Sequence, residues 1–289
     1  MKEPSFLEMM GLTDRGISPH KDSLTLYDYE ELEFYEARYR HMRPLLDEKR
    51  AARIAKIIHF IWVGPNPFPE TSCANIRSWQ QFHPSWQFYF WTDSASRECP
   101  VEGMTKRLVQ EFDCGPLQAY VDKTPHPAEK SDLMRYAILY EMGGFYADHD
   151  AACLRSFEPL CSFDLVAGFE YPHWHGGLDS AVVFANGLIG ASAQNPVFTD
   201  AMAHTIRLWH ELDERFPDGQ GGAERWKIIR RSFDSFTLAI KEIKADPARS
   251  WLLLPTSYFF PDIILDEETI SAFQARGVVW ARHGYTRLW

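Results

Sequence analysis

Apolar and polar positions along the chain follow two rhythms, one of strands and one of helices. Residues 57–63, IIHFIWV, form a continuous apolar run rich in β-branched and aromatic side chains, closed by Gly64-Pro65. Such a run fits a strand buried on both faces in a mostly parallel sheet. Helical spacing follows over 73–82 (CANIRSWQQF), and then a second strand pattern, WQFYFW at 86–91, ends at Thr92-Asp93. Helices are expected over 104–112 (MTKRLVQEF) and, more strongly, over 127–142 (PAEKSDLMRYAILYEM). Gly143-Gly144 stops that second helix, as glycine does at a C-cap, and FYAD at 145–148 resumes as strand. Further strands are expected over 163–169, 180–186, 251–254 and 277–282, and helices over 196–216 and 223–243.

Strand and helix alternate through residue 150, which implies βαβ crossovers and an α/β sandwich. Ligands of such sheets bind beyond the carboxyl ends of the strands, and Asp93, Asp148 and Asp150 stand at or just past such ends. The first 54 residues differ. Residues 27–56 are charged with helical spacing, and Pro44 marks a break between two helices. We expect an N-terminal helical cap over 1–54, packed on one compact domain over 55–289. DGQGG at 218–222 reads as a flexible loop.

Composition narrows the partners. With 289 residues, 45% apolar and 15% aromatic, the chain is globular and long enough for a substantial core. A formal charge of −10 without a basic run argues against nucleic acid or an anionic membrane as main partner. No apolar stretch reaches the roughly 18–20 residues of a membrane span, and the start carries acids where a signal peptide is apolar. Five cysteines, odd in number and without CxxC spacing, read as reduced thiols. The expectation is a cytoplasmic protein, or an effector delivered without a cleavable signal.

The candidate chemistry lies in YEMGGFYADHDAA, residues 140–152. On an extended segment Asp148 and Asp150 would face one side while His149 points away. Two converging carboxylates need a positive partner, and a divalent cation that bridges carboxylates to phosphates satisfies this best. A bare D-x-D also fits a solvated turn. On the preceding helix, Asp132 and Arg135 are spaced i, i+3 and share a face. They can be a surface ion pair or a clamp on sugar hydroxyls and phosphate. Trp79, Trp86 and Trp91 are most simply core residues.

These segments, with IIHFIWVG, SWQQFHPSWQFYFWTD and the terminal HGYTRLW, appear in an order that resembles the DXD-containing sugar-transferase family. That family includes the yeast initiating α-1,6-mannosyltransferase, and the same motifs are similar to the catalytic domain of the large clostridial glucosylating toxins. The resemblance covers roughly residues 55 to 190, and the last dozen more loosely. It implies an α/β fold of the GT-A type and a divalent metal, Mn²⁺ or Mg²⁺, on the diphosphate. It also implies transfer of a hexose from a nucleotide-sugar, with retention, to a hydroxyl acceptor that is a protein, glycan, lipid or small molecule.

Carried over by residue, Ile61 and Trp62 match the motif that meets the nucleobase. Asp132 and Arg135 match the sugar clamp, and Tyr146 the tyrosine near the sugar-phosphate. Asp148 and Asp150 look like the metal-shell and direct metal ligands, and Asn186 like a polar residue facing donor or acceptor. His283 and Trp289 match a closing pair in which histidine completes the metal shell and tryptophan covers the phosphates. A histidine ligand would tilt the choice towards Mn²⁺. Leu288 stands where the family has serine, and Tyr285 can supply a hydroxyl instead. A UDP-sugar is favoured over GDP-mannose, because the Ile-Trp pair resembles the toxins. No carboxylate is nominated as a nucleophile under the sugar ring, so front-face attack is expected. A nucleotide-sugar phosphohydrolase and an inactive nucleotide-sugar-binding module are the alternatives.

Overall fold

The computed structural model describes residues 4–18, 21–173, 178–217, 223–243 and 249–286. The elements in chain order are α1 (Phe6–Met9), α2 (Leu26–Met42), β1 (Ile57–Trp62), α3 (Cys73–Phe82), β2 (Gln87–Thr92), β3 (Thr105–Leu108), α4 (Gln118–Lys123) and α5 (Pro127–Met142). They continue with β4 (Gly144–Ala147), β5 (Ala151–Cys153), β6 (Leu165–Phe169), β7 (Phe184–Ala191), α6 (Pro196–Arg215), α7 (Ala223–Ile229), α8 (Ser235–Ile243), β8 (Trp251–Leu254), α9 (Glu267–Ala275) and β9 (Ala281–His283). A π-helical turn, Arg230–Asp234, joins α7 to α8.

Seven strands form the central sheet in the order β3-β2-β1-β4-β7-β6-β8. Strands β1 to β4 run parallel, as the βαβ alternation requires, while β7 is antiparallel to both β4 and β6. The C-terminal ends of β2, β1, β4 and β6 therefore lie along one edge. A second pair, β5 with β9 antiparallel, sets Ala151 opposite His283. The α/β sandwich expected from the sequence is the architecture found.

Helix α5 opens on Pro127, whose missing N–H costs nothing at the first helical position. It closes at Gly143, with φ of 63°, a conformation that glycine reaches without strain. Leu133 to Leu139 are all buried, so the helix is held on several sides, between the sheet and the α6–α8 layer. Helix α2 starts with a reciprocal cap: the Asp28 N–H donates to Thr25 Oγ1 and the Thr25 N–H to Asp28 Oδ2. Its Tyr35 packs edge-on against Phe169 and Phe184 of the sheet.

Four expectations are corrected. Residues 104–112 form no α-helix: Thr105–Leu108 pair with β2 as an edge strand, followed by a 3₁₀ turn. Pairing outweighs local helix propensity there. The strand expected at 180–186 runs instead from Phe184 to Ala191. Its Gly187 and Gly190 look like breakers in sequence, yet they admit neighbouring side chains at close range. The strand at 277–282 is confined to Ala281–His283. Beyond Pro44 the second N-terminal helix is only a 3₁₀ turn, Arg43–Asp47. The loop expected at 218–222 lies outside the described residues. Trp79, Trp86 and Trp91 are buried core, as expected.

Candidate functional site

A cavity of about 650 Å³ opens at the C-terminal edge of the sheet, bordered by Trp62, Arg135, Asp148, Glu170 and Asn186. The chain leaves β4 at Ala147 and turns at once, with the Ala151 N–H donating to the Asp148 carbonyl at 3.0 Å. This turn, and not the alternation of an extended strand, brings Asp148 and Asp150 together. His149 does point away: its Nδ1 shares a hydrogen bond with Ser72 Oγ at 2.8 Å, and its ring meets Trp62 edge-on at 4.9 Å.

The β5–β9 pair brings in a third group from 133 positions beyond Asp150. His283 Nε2 lies 3.0 Å from Asp148 Oδ2 and 3.3 Å from Asp150 Oδ1. Burial would lower the pKa of His283, but the hydrogen bond and charge of Asp148, with Asp150, raise it. Burial would likewise raise that of Asp148, but the Arg135 charge and His283 hold its carboxyl far below the ordinary range. Asp150 Oδ2 accepts from the Thr286 N–H and hydroxyl at 2.7 and 2.9 Å, while its buried Oδ1 has no hydrogen-bond partner among the described residues. An orphaned carboxylate oxygen facing a second carboxylate and an imidazole, all within 4.8 Å, is a donor set that fits one divalent cation.

Arg135 is buried beside this group. It pairs with Asp132 Oδ1 at 2.6 Å and Asp148 Oδ1 at 3.3 Å, donates to the Asn186 carbonyl at 2.6 Å and lies over the Tyr146 ring. The surface alternative for the Asp132–Arg135 pair is thereby excluded. Burial raises the pKa of Asp132, partly offset by Arg135 and by the Ser232 hydroxyl, which donates to Oδ2 at 2.6 Å. The Tyr146 hydroxyl donates to Asp148 Oδ1 at 2.5 Å.

Ile61 and Trp62 border the cavity at the end of β1. Trp62 is only 3% exposed, with its indole N–H given to the Asn66 carbonyl at 2.9 Å. Asn186 lies within β7 and not at a strand end, and its side chain reaches the Tyr136 hydroxyl at 3.4 Å. Asp93 holds a loop outside the cavity, accepting from the Gly64 N–H and pairing with Arg97. Trp289 lies outside the described residues.

Three residues escaped the sequence reading. Gly187 is one, because a side chain there would collide with Asp148 and His283. Its signal was a glycine inside a strand pattern. Ser232 is the second, delivered by the π-helical turn, which has no sequence mark. The third is Glu170, directly after β6. It could have been found by the rule that picked out Asp93 and Asp148.

The fold is of the GT-A type, with the acidic cluster and the cavity at the C-terminal ends of its strands. Residues 69–167 match the family described as "Glycosyltransferase sugar-binding region containing DXD motif", so the resemblance carried by those motifs holds. Inositol phosphoceramide mannosyltransferase 3 of Schizosaccharomyces pombe is 33% identical over 125 residues, 43% of this chain and 30% of that protein. The initiation-specific alpha-1,6-mannosyltransferase of the same yeast is 27% identical over 186 residues, 60% of this chain and 42% of the relative. The chain thus spans less than half the length of either. The UDP-bound glycosyltransferase domain of the YGT toxin shares the fold, with a TM-score of 0.53 at 10% identity over 71% of this chain and 80% of that one.

The relatives overturn the expectation of a cytoplasmic protein or delivered effector. Three of the fission-yeast relatives are by name inositol phosphoceramide mannosyltransferases, and these yeast mannosyltransferases are not cytoplasmic proteins. Five free cysteines and an acid-rich start describe this folded unit and not its address. Among the described residues no helix is long and apolar enough to cross a membrane.

Proposed function

We propose that the chain is a metal-dependent, retaining glycosyltransferase that moves a hexose from a nucleotide-sugar to a hydroxyl acceptor. One observation carries the reading: Asp148, Asp150 and His283 converge beside the buried Asp132–Arg135 pair in a single cavity. The hexose is supported by the relatives' names as mannosyltransferases. A UDP-sugar is supported by the Ile61-Trp62 pair and by a fold neighbour solved with UDP.

Asp148, Asp150 and His283 would hold the cation, manganese by their mixed oxygen and nitrogen donors. When bound, it neutralises charge on the departing diphosphate. Arg135 adds a fixed positive charge whose orientation is set in advance by Asp132, Asp148 and the Asn186 carbonyl. Asp132 keeps its place through Arg135 and Ser232 and accepts from sugar hydroxyls. Tyr146 holds Asp148 through its own hydroxyl, and Ile61 and Trp62 wall the base end. A nucleotide diphosphate leaves without a general acid, so front-face attack needs no glycosidase-type carboxyl pair: the leaving phosphate oxygen takes the acceptor's proton.

A donor screen tests the reading. The chain is incubated with MnCl₂ and each common UDP-hexose or GDP-mannose, and nucleotide release is recorded. One donor should be turned over, with activity lost in excess chelator and restored by MnCl₂. Full activity in chelator refutes the metal assignment. No release with any donor refutes the transferase, and release that no acceptor accelerates marks a phosphohydrolase.

A further inference from the structure

The base end of the cavity is held from outside it. We propose that Arg97, which is not among the residues bordering the cavity, positions the Trp62 wall and thereby sets the affinity for the base of the donor. This rests on the transferase reading and adds a positioning residue to it.

The anchor begins where the sheet ends. Trp62 and Thr92 are the last paired residues of β1 and β2, and the Arg97 guanidinium lies just past that rung. Its Nη1 donates to the Trp62 carbonyl at 3.0 Å and to Thr92 Oγ1 at 2.7 Å. Its Nη2 donates to the Gly64 and Asn66 carbonyls at 2.6 and 3.2 Å. Carbonyls of alternate residues, 62, 64 and 66, thus converge on one cation, and the loop after β1 wraps a side chain that comes from the loop after β2. Asp93 closes the ring: its Oδ1 pairs with Arg97 Nη1 at 3.0 Å, and its Oδ2 accepts from the Gly64 N–H at 2.7 Å.

The same loop fixes the indole. Trp62 gives its ring N–H to the Asn66 carbonyl at 2.9 Å, so one oxygen ties the ring to the guanidinium. Gly64, at φ of 92°, is pressed on the first residue of α5: a Cβ there would lie 2.5 Å from Pro127 Cγ. Phe68 and His149 meet the Trp62 ring edge-on at 5.4 and 4.9 Å. The loop is therefore wedged between Arg97 on one side and Pro127, itself on the cavity border, on the other.

Trp62 is so buried that only an edge of it meets a ligand, and a small shift of the loop changes the width of the base end. The Nη atoms of Arg97 are spent on loop oxygens and its side chain is 13% exposed, so it acts on a donor through the loop. A planar guanidinium satisfies several carbonyls at fixed angles, which an ammonium on a flexible stem does not. Without it the three carbonyls turn to water, and the Asn66 tie to the indole moves with them.

The test measures nucleotide release by the Mn²⁺-loaded chain with the donor it turns over. Inhibition by UDP, by GDP and by inorganic pyrophosphate, which has the diphosphate but no base, is measured alongside. Arg97→Ala should raise the donor KM about tenfold, the scale of one charge-assisted hydrogen bond, at unchanged kcat. The inhibition constant of the nucleoside diphosphate that matches the donor should rise by the same factor, and that of pyrophosphate should stay at wild type. Arg97→Lys should recover part of the loss, and it carries the same comparison if Arg97→Ala does not fold. In a Trp62→Phe background the tie to Asn66 is already gone, so Arg97→Ala should cost less there than in wild type.

Equal weakening of pyrophosphate and nucleotide overturns the proposal, because the diphosphate end is then disturbed as well. A wild-type KM in Arg97→Ala does the same, as does a fall in kcat at wild-type KM or full additivity with Trp62→Phe. Absence of nucleotide release by the wild-type chain with every donor overturns the transferase reading instead, and this role of Arg97 with it.

Discussion

Replacing Gly187 by alanine adds one methyl group at the narrowest point of the site. A Cβ built there lies 2.6 Å from Asp148 Oδ2 and 3.2 Å from His283 Nε2, so both groups must retreat by several tenths of an ångström. Neither is a loose side-chain end. Asp148 is tied to Tyr146 at 2.5 Å and Arg135 at 3.3 Å, and the His283 backbone is fixed by pairing with Ala151 and by the Phe259 carbonyl. Overpacking of this kind costs about 1–3 kcal/mol, and a positioned group displaced by about 1 Å loses on the order of 100-fold in rate. Gly187→Ala should therefore unfold at lower urea by that free energy, lose on the order of 100-fold in kcat/KM for nucleotide release, and need more MnCl₂ for half-saturation. Gly190→Ala on the same strand is the comparison. Its added carbon would meet the Phe145 ring in the core, so stability should fall without a change in MnCl₂ half-saturation. If Gly187→Ala is half-saturated at the wild-type MnCl₂ concentration, Asp148 and His283 do not share an ion.

Two further predictions address the site and the core. Asp150→Asn should abolish nucleotide release and the rise in melting temperature produced by MnCl₂, while far-UV circular dichroism stays at wild type; an unchanged thermal shift would show that the ion binds elsewhere. His59 is fully buried, with Nε2 to the Gly143 carbonyl at 2.9 Å and Nδ1 accepting from the Trp91 indole at 3.1 Å, a pattern that demands neutral imidazole. Burial lowers its pKa from 6.5 to about 4. The folded value lies below the unfolded one, so its contribution is complete above pH 6.5 and is lost as pH falls towards 4, by about 3 kcal/mol in all. Urea unfolding of wild type and His59→Gln at pH 7 and pH 4.5 should show a steeper acid loss in wild type, and parallel losses would remove His59 from the account.

Much of the site was legible because its elements are local. The apolar run of 57–62, the helix from Pro127 and the double glycine are set by spacing and by backbone rules acting within a few residues. Legibility failed where pairing across the sheet decided. Residues 105–108 could be helix or strand until β2 offered its edge, and the extent of β7 depended on which side chains its glycines must admit. The aspartates converge for a reason other than the one the spacing suggested, since a turn does the work assigned to alternation. The compartment was misread because thiol count and charge do not carry it.

From sequence alone came the class of fold, the D-x-D pair, the i, i+3 partners Asp132 and Arg135 on one helix face, and the suspicion that His283 returns to the aspartates. Each depends on residues close in the chain, or on a motif that can be seen without coordinates. The tertiary structure alone decided that Asp150 Oδ1 has no hydrogen-bond partner among the described residues, that Gly187 keeps the cluster open, that the π-helical turn sets Ser232 on Asp132, and that Glu170 shares the cavity. Those facts depend on distances between segments far apart in sequence, fixed by packing of the whole sheet, and no local rule of spacing contains them.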